Sequence, residues 1–202
     1  VSDKEPGPEL DLALLSLRLW RDLAADLGAA FEYEAKGGLV TAATADGLSV
    51  LNELAARQRA AGVTAEEVPG ERLPELEPHL ADGLAGGVRY PQDAQVQPAL
   101  AAAHLLRAAR LRHGARALLG TEVTGFLRSG DRITGVRTTR GDHAAAAVVN
   151  AAGTWSGTLA GRAGVALPIL PRRGFVLVTE PLPQLIRHKV YAAEYVANVA
   201  SD

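Results

Sequence analysis

The first part of the chain places leucines among polar residues at the spacing of a helix. Leucines recur every three or four positions from Leu12 to Leu27, and Pro8 suits the first helical turn. This pattern predicts a helix over residues 8–27. A second apolar line along the same segment, which includes Trp20, predicts that other elements cover this helix on more than one side.

The next part of the chain mixes short extended segments with helical ones. Glycines and prolines separate the segments, and each change of hydrophobic period marks a new element. The pattern predicts, in order, a strand pair over residues 31–43, a helix over residues 46–61, a strand over residues 63–68, a surface-rich stretch over residues 69–98, and a helix from Pro98 that Gly114 ends.

Beyond Gly114 the hydrophobic period is that of strands. It predicts a strand over residues 115–120, a three-stranded meander over residues 121–153, a short helix over residues 154–164, a long strand over residues 167–183, and an extended C-terminal segment. The pattern thus predicts helices and strands that follow one another along the whole chain.

Composition narrows the classes of function. The 202 residues carry a net charge of −2 and include 48% hydrophobic residues, which is typical of an ordered globular protein. The arginines are scattered rather than clustered, so nucleic acid is not an expected partner. The apolar runs are too short to span a membrane. We therefore expect a cytoplasmic protein without a transmembrane segment, while peripheral membrane association of a longer parent stays open.

Missing residue types exclude some chemistry. The chain has no cysteine, which rules out disulfides, thiolate metal sites and a flavin attached through cysteine within this segment. The five histidines are dispersed without the i, i+4 spacing of a metalloprotease helix, so no metal site is expected. The chain begins at Val1 and has no methionine. We therefore expect it to be an internal part of a longer protein.

The most informative segment for chemistry is residues 144–164. An apolar run leads into Ala152 and Gly153, and a helix is predicted to begin between Thr154 and Ser156. Small residues at such a junction let the backbone approach a ligand, and a helix N-terminus favours an anion such as pyrophosphate. The same residues also suit an ordinary strand-to-helix connection, which the spacing alone favours.

Three weaker features add further candidates. Val123 follows Glu122 near the start of the predicted meander, where an edge backbone suits hydrogen bonding to adenine and the core is the alternative place for Val123. Gly174 in a predicted strand marks a bulge or a close approach by another backbone or a ligand. Tyr191 and Tyr195 share a face of a predicted extended segment, which suits either aromatic packing or a substrate cavity.

The order of these segments resembles the FAD-dependent oxidoreductases of the D-amino acid oxidase, glycine oxidase and sarcosine oxidase family. The segments that carry the resemblance are KGGLV, YPQDAQVQP, GTEVTGF, VVNAAGTWS and LPRRGFVLVTEP, and they are spread over nearly the whole chain. The resemblance implies an α+β fold class, in which an α/β FAD-binding portion is interleaved with a mainly antiparallel substrate-domain sheet. It assigns residues 1–30 and 98–165 to the FAD-binding domain, and residues 31–97 and 166–202 to the substrate-binding domain.

The resemblance also implies binding roles for six residues, and it leaves the catalytic residues unassigned. Its cofactor residues are Val123, whose backbone meets the adenine of FAD, then Ala152, Gly153 and Trp155 beside the diphosphate and ribose, and Gly174 near the flavin. It further implies that Tyr195 lies at the substrate pocket.

The same resemblance implies an activity for the parent protein. That activity is oxidation of a small amine or amino acid, of the glycine, sarcosine or D-amino acid type, by hydride transfer to FAD. A hydroxy-acid or glycerol-phosphate oxidase of the same superfamily is an alternative. A non-catalytic scaffold that self-associates or binds other subunits is an alternative from a different class.

The sequence departs from the family at both ends. In the family a GxGxxG loop that binds the FAD pyrophosphate precedes the first helix, and this chain has no such motif. The family arginine that pairs with the substrate carboxylate, and the glycine-rich segment over the flavin, would follow residue 202. We therefore expect the isolated chain to bind FAD weakly or not at all, and to be inactive on its own.

Overall fold

The structure is a computed structural model, which describes residues 1–27 and 30–195. The described residues fall into two compact units. The first comprises Val1–Gly114 and, from the C-terminal stretch, residues 181–195, and the second comprises Ala115–Glu180. Each unit contains its own sheet.

The described helices and strands follow the chain in this order: α1 (Pro8–Leu27), β1 (Gly38–Ala42), α2 (Ala45–Ala60), β2 (Glu66–Pro69), α3 (Leu73–Leu76), β3 (Gly86–Tyr90), α4 (Pro98–His113), β4 (Val123–Ser129), β5 (Arg132–Thr138), β6 (Gly141–Ala144), α5 (Ser156–Arg162) and β7 (Lys189–Ala192). Helices are thus combined with two mainly antiparallel sheets. The predicted α+β class is confirmed.

The first unit is organised around a four-stranded sheet in the order β2-β3-β1-β7. β3 is antiparallel to β1 and β2, whereas β7 runs parallel to β1. Val40 and Val88 are paired and fully buried, and they pack in one cluster with Leu51 and Leu54 of α2. The apolar face of α2 and the middle of the sheet therefore form the core of this unit.

Two buried polar side chains join the sheet to α2 and to the N-terminal segment. The hydroxyl of Tyr90 donates to Oε1 of Gln58 at 2.8 Å, and Nε2 of Gln58 donates to the backbone carbonyl of Lys4 at 2.8 Å. Burial raises the pKa of Tyr90, so its hydroxyl keeps its proton and remains a donor. Tyr90 and Gln58 therefore have hydrogen-bond partners inside an apolar cluster, as buried polar groups require.

Glu77, immediately after α3, is a buried carboxylate that fixes where β7 enters the sheet. Its Oε1 accepts a hydrogen bond from the backbone N–H of Arg187 at 2.8 Å. The same oxygen accepts from the backbone N–H of His188 and lies 2.8 Å from Nδ1 of the His188 ring. Because these two residues directly precede β7, the carboxylate holds the start of that strand beside β1.

α1 has the predicted bounds, but one line of its leucines is exposed. Within Pro8–Leu27 only Leu10 is fully buried, while Leu12 and Leu15 are exposed. Trp20 packs edge-on against Phe31, with ring centroids 5.7 Å apart. The predicted helix is therefore confirmed, and the prediction that other elements cover it on more than one side is wrong for this structure.

α4 begins and ends where local chemistry predicts. Pro98 occupies the first turn, and the side chain of Gln97 caps it by accepting from the backbone N–H of Leu100 at 2.9 Å. Gly114 follows the last turn with a φ of 65°, a left-handed conformation that favours glycine. The start at Pro98 and the stop at Gly114 are confirmed.

The second unit contains a three-stranded antiparallel meander in the order β4-β5-β6. β4 therefore lies at one edge of this sheet. Its register against β5 shifts between Val123 and Gly125, which marks an irregularity at the start of the strand. The predicted meander is confirmed, although its third strand ends at Ala144.

Several predicted strands are not present in the structure. Residues 115–120, 145–152 and 165–183 form no strand, and Leu177 in the last of these segments is 96% exposed. A strand needs a neighbour that satisfies its backbone groups, and none of the described strands pairs with these segments. At the C-terminal end residues 193–195 are helical rather than extended, and residues 196–202 lie outside the described residues.

Replacing Glu77 by Gln tests how the start of β7 is held. Gln keeps the shape of the side chain but removes the charge that strengthens its three contacts with residues 187 and 188. We expect the free energy of unfolding, measured with urea, to fall by about 1–3 kcal/mol. Glu75→Gln is the control, because Glu75 is exposed and pairs with Arg72 at the surface, and it should cost less than about 0.5 kcal/mol. Equal losses in both variants would contradict the assigned role.

Candidate functional site

Three of the predicted cofactor residues line one cavity in the second unit. These are Val123, Ala152 and Trp155, and Gly153 lies in the turn between the last two. The cavity has a volume of about 390 Å³, which falls within the usual range for ligand pockets. The complete lining is Glu122, Val123, Ala152, Trp155, Thr158, Leu159 and Arg162.

Four of the lining residues come from one face of the segment around α5. Trp155, Thr158, Leu159 and Arg162 are spaced by three, one and three positions, which brings them to the same side of a helix. Sequence motifs identified Trp155 but missed the other three. Counting at helical spacing from Trp155 is the signal that would have found them.

The turn before α5 is built by hydrogen bonds around Asn150. Its Nδ2 donates to the backbone carbonyl of Ser156 at 3.0 Å, and its Oδ1 accepts from the backbone N–H of Ala152 at 3.3 Å. Gly153 adopts a φ of 56°, which is left-handed and favours glycine over residues with a Cβ. Asn150 and Gly153 together bring Trp155 to the mouth of the cavity.

α5 is shorter than the predicted helix and begins later. It comprises the seven residues Ser156–Arg162 after a single 3-10 turn over Gly153–Trp155. Trp155 precedes its first residue, and no side chain caps the helix. Because a helix dipole is a sum over aligned peptide units, so short a helix does not form an anion site by itself.

The other side of the cavity is the open edge of β4. The backbone N–H of Glu122 donates to Oγ1 of Thr139 at 3.1 Å, and its carbonyl accepts from the backbone N–H of Thr139 at 3.0 Å. Successive residues of a strand direct their backbone groups to opposite sides. The carbonyl of Val123 accordingly faces away from β5 and accepts a hydrogen bond from Nη1 of Arg162 at 2.6 Å.

Val123 also borders a second cavity in the same unit, with a volume of about 430 Å³. Thr121, Val136 and His143 are among its other lining residues. Ala152, Gly153 and Trp155 do not line it. The cavity beside α5 is therefore the one that brings the predicted cofactor residues together.

Gly174 does not reach either cavity. It lies within the irregular residues 165–183 and is exposed, and a Cβ built on it would have no atom within 4 Å. The structure therefore shows no close approach of another backbone to Gly174 among the described residues. Its predicted position near the flavin stays a prediction.

Tyr195 belongs to the first unit and is 59% exposed. Its ring packs edge-on against Tyr191, with centroids 6.2 Å apart. Tyr191 is more deeply placed, and its hydroxyl donates to Oγ of Ser2. Burial raises the pKa of Tyr191. The two tyrosines thus pack against each other, which is the first of the two predicted alternatives. The role of Tyr195 in binding substrate stays a prediction.

Asp93 forms a buried charged cluster near Tyr191. Its carboxylate lies 2.6 Å from Oγ of Ser2, 3.0 Å from the backbone nitrogen of Val1 and 3.1 Å from Nζ of Lys189. Lys189 also lies 4.9 Å from the centre of the Tyr191 ring. The cluster joins the N-terminal segment to β7.

The described part of the chain contains neither a cluster of metal-ligating side chains nor a helix suited to cross a membrane. No group of three or more histidine, cysteine, aspartate or glutamate side chains among residues 1–27 and 30–195 is placed to hold a metal ion. No helix within these same residues is long and apolar enough to cross a membrane.

Sequence comparison identifies the family. The profile of the family described as FAD dependent oxidoreductase matches residues 1–200. The hydrogen cyanide synthase subunit HcnC of Pseudomonas aeruginosa is 32% identical over 190 residues, which cover 90% of this chain and 45% of HcnC. D-amino acid dehydrogenase 2 of Mesorhizobium japonicum is 34% identical over 177 residues, which cover 86% of this chain and 42% of that enzyme. The chain belongs to the FAD-dependent oxidoreductase family.

Structural comparison agrees with this assignment. The crystal structure of glycine oxidase from Geobacillus kaustophilus matches with a TM-score of 0.77 and 31% sequence identity. The match covers 94% of this chain and 52% of the glycine oxidase chain. The chain thus spans about half the length of the relatives that it matches, and its fold is part of an FAD-binding fold.

The lining of the cavity suits the adenosine end of FAD. Trp155 and Leu159 offer apolar surface for a flat base, and the carbonyl of Val123 is an acceptor suited to the amino group of adenine. Ala152 and Gly153 are small enough for a ligand to pass close to the backbone. A GxGxxG loop for the pyrophosphate is absent from the sequence of the chain.

Replacing Gly153 by Ala tests the turn that brings Trp155 to the cavity. The added Cβ meets no atom within 4 Å, so the cost comes from the left-handed backbone alone, about 1–2 kcal/mol in the free energy of unfolding. Gly161→Ala is the matched control, because Gly161 lies inside α5 and also has open space around its Cβ. Alanine there should stabilise by up to about 1 kcal/mol. Urea unfolding of both variants checks the opposite signs, and a loss at Gly161 as large as at Gly153 would contradict the assignment.

Proposed function

We propose that this chain is part of an FAD-dependent enzyme that oxidises a small amino acid or secondary amine, and that the cavity beside α5 holds the adenosine end of FAD. One observation carries the proposal: Val123 of the GTEVTGF segment lines the same cavity as Ala152 and Trp155 of the VVNAAGTWS segment. Similarity to a D-amino acid dehydrogenase and to a glycine oxidase supports the substrate class.

Each lining residue has a physical part in this proposal. The open edge of β4 presents the Val123 carbonyl to the edge of the adenine ring, where it accepts from the amino group. Trp155 and Leu159 cover the faces of the ring and exclude water from it. The turn at Ala152 and Gly153 lies beside the ribose and the first phosphate. In this proposal the cavity recognises adenosine by its shape and by one backbone group, the carbonyl of Val123.

The proposed domains are defined by segments of the sequence, and their bounds differ from those of the two compact units. Residues 1–30 and 98–165 contribute to the FAD-binding domain, and residues 31–97 and 166–202 to the substrate-binding domain. FAD, when bound, would accept a hydride from the carbon next to the substrate nitrogen. The residues of this chain bind the cofactor's adenosine end, support the substrate sheet and keep water out.

The substrate end is assigned to residues 31–97 and 166–202, which include Gly174 and Tyr195. Tyr195 is exposed beside Tyr191, and its side chain is free to contact a ligand on its open side. We assign Tyr195 to the lining of the amine pocket and Gly174 to the flavin side of the substrate sheet. Both assignments rest on the family resemblance, and the contacts within the described residues are compatible with the first.

A scaffold function is the second candidate, and exposed apolar surface supports it. Leu12 on α1 and the run from Phe175 to Val178 are largely exposed. Large exposed apolar patches mark association surfaces. In this alternative the chain binds no FAD, and it self-associates or covers these surfaces with another subunit. We propose a cytoplasmic location under either function.

The colour and redox response of the protein expressed from its complete coding sequence decide between these functions. We expect a yellow protein whose flavin absorbance is lost when glycine, sarcosine or a D-amino acid is added without oxygen, because the flavin is then reduced. The control is the same mixture without substrate. A spectrophotometer in an anaerobic cell makes the measurement.

Each outcome of this experiment selects one function. Bleaching by an amine supports the proposal. Bleaching by glycerol 3-phosphate alone would reject the amine substrate and support the glycerol-phosphate oxidase alternative. A colourless protein that binds no added FAD would reject the flavoenzyme and leave the scaffold, whose self-association the mass in solution would show.

A further inference from the structure

Arg162 joins the end of α5 to the first residue of β4 across the cavity. Its Nη1 donates to the backbone carbonyl of Val123 at 2.6 Å, and its Nη2 lies 3.8 Å from Oε1 of Glu122. The side chain is 39% exposed and is part of the cavity lining. The carbonyl that Arg162 binds is therefore the same group that the proposed function assigns to adenine.

The chemistry of the two groups lets them act on adenine together. A carbonyl oxygen has two lone pairs, so it can accept from Arg162 and from the amino group of a base at once. A guanidinium holds its five donors in one plane, and that plane also stacks on aromatic rings. Arg162 can thus direct the carbonyl of Val123 and offer a flat cation to the base.

We propose that Arg162 is a positioning residue for the adenine of FAD: it holds the Val123 carbonyl at the open edge of β4 and closes one wall of the cavity. This inference rests on the proposed function, because it needs an adenine in this cavity. It also goes beyond the family resemblance, which gives no role to Arg162.

Arg128 provides a matched comparison within the same unit. It lies on β4, and its Nη2 donates to the backbone carbonyl of Ala163, the residue that directly follows α5. Both arginines therefore tie β4 to the end of α5 through one arginine-to-carbonyl hydrogen bond. Arg128 does not line the cavity. Any effect that Arg162 exerts only as a tether should appear equally when Arg128 is replaced.

The test uses the protein expressed from its complete coding sequence and stripped of flavin. Isothermal titration calorimetry gives dissociation constants for ADP and for FAD with the wild type, Arg162→Gln, Arg162→Lys and Arg128→Gln. We expect Arg162→Gln to raise both constants about tenfold, because the charged hydrogen bond that holds the Val123 carbonyl in place for the base is lost. Arg162→Lys should recover part of this loss. Arg128→Gln should change either constant less than about twofold.

The two probes locate the effect, because ADP shares only the adenosine diphosphate part of FAD. If Arg162→Gln raises the dissociation constants of ADP and FAD by the same factor, Arg162 acts on the adenosine diphosphate part that the two ligands share. Urea unfolding should shift alike for Arg162→Gln and Arg128→Gln, since both lose one tether of the same kind.

Three results would overturn the inference. If Arg162→Gln and Arg128→Gln weaken ADP binding equally, Arg162 is only a tether. If Arg162→Gln leaves ADP binding unchanged, Arg162 has no part in binding, and if it tightens ADP binding, Arg162 competes with adenine for the carbonyl. A wild-type protein that binds neither ADP nor FAD would instead overturn the proposed function itself.

Discussion

An extended segment becomes a strand only where a neighbour satisfies its backbone N–H and C=O groups, and this constraint shapes both units. β1 has β3 on one side and β7 on the other, and β5 lies between β4 and β6. Residues 165–183 contain strand-forming residues but pair with no described strand, and they remain irregular. At the open edge of β4 no described strand pairs with the Val123 carbonyl, and Arg162 donates a hydrogen bond to it instead.

The cavity shows how family chemistry and local geometry combine in this chain. The chain belongs to the FAD-dependent oxidoreductase family and spans about half the length of its relatives. Within that half, the turn shaped by Asn150 and Gly153 and the edge of β4 enclose a volume suited to adenosine. We therefore propose that this chain supplies the adenosine half of the cofactor site.

Local signals in the sequence predicted α1, α2 and α4, whereas pairing between distant segments could not be predicted. Pro98 and Gly114 begin and end α4 through their own backbone preferences. β7 pairs with β1 from the other end of the chain and is held there by Glu77, a contact that no local pattern contains. Motifs found Val123 and Trp155, but Arg162 reaches the cavity only because α5 lies beside β4.

Hydrogen–deuterium exchange on the flavin-stripped protein, with and without ADP, tests most directly whether the cavity beside α5 holds the adenosine end of FAD. At an ADP concentration of about a hundred times its dissociation constant, the amides of residues 122–125 and 152–159 should exchange up to about 100-fold more slowly. The amides of β3 in the first unit serve as the internal reference. ADP that binds and protects other segments, while leaving both of these unchanged, would contradict the assignment of this cavity.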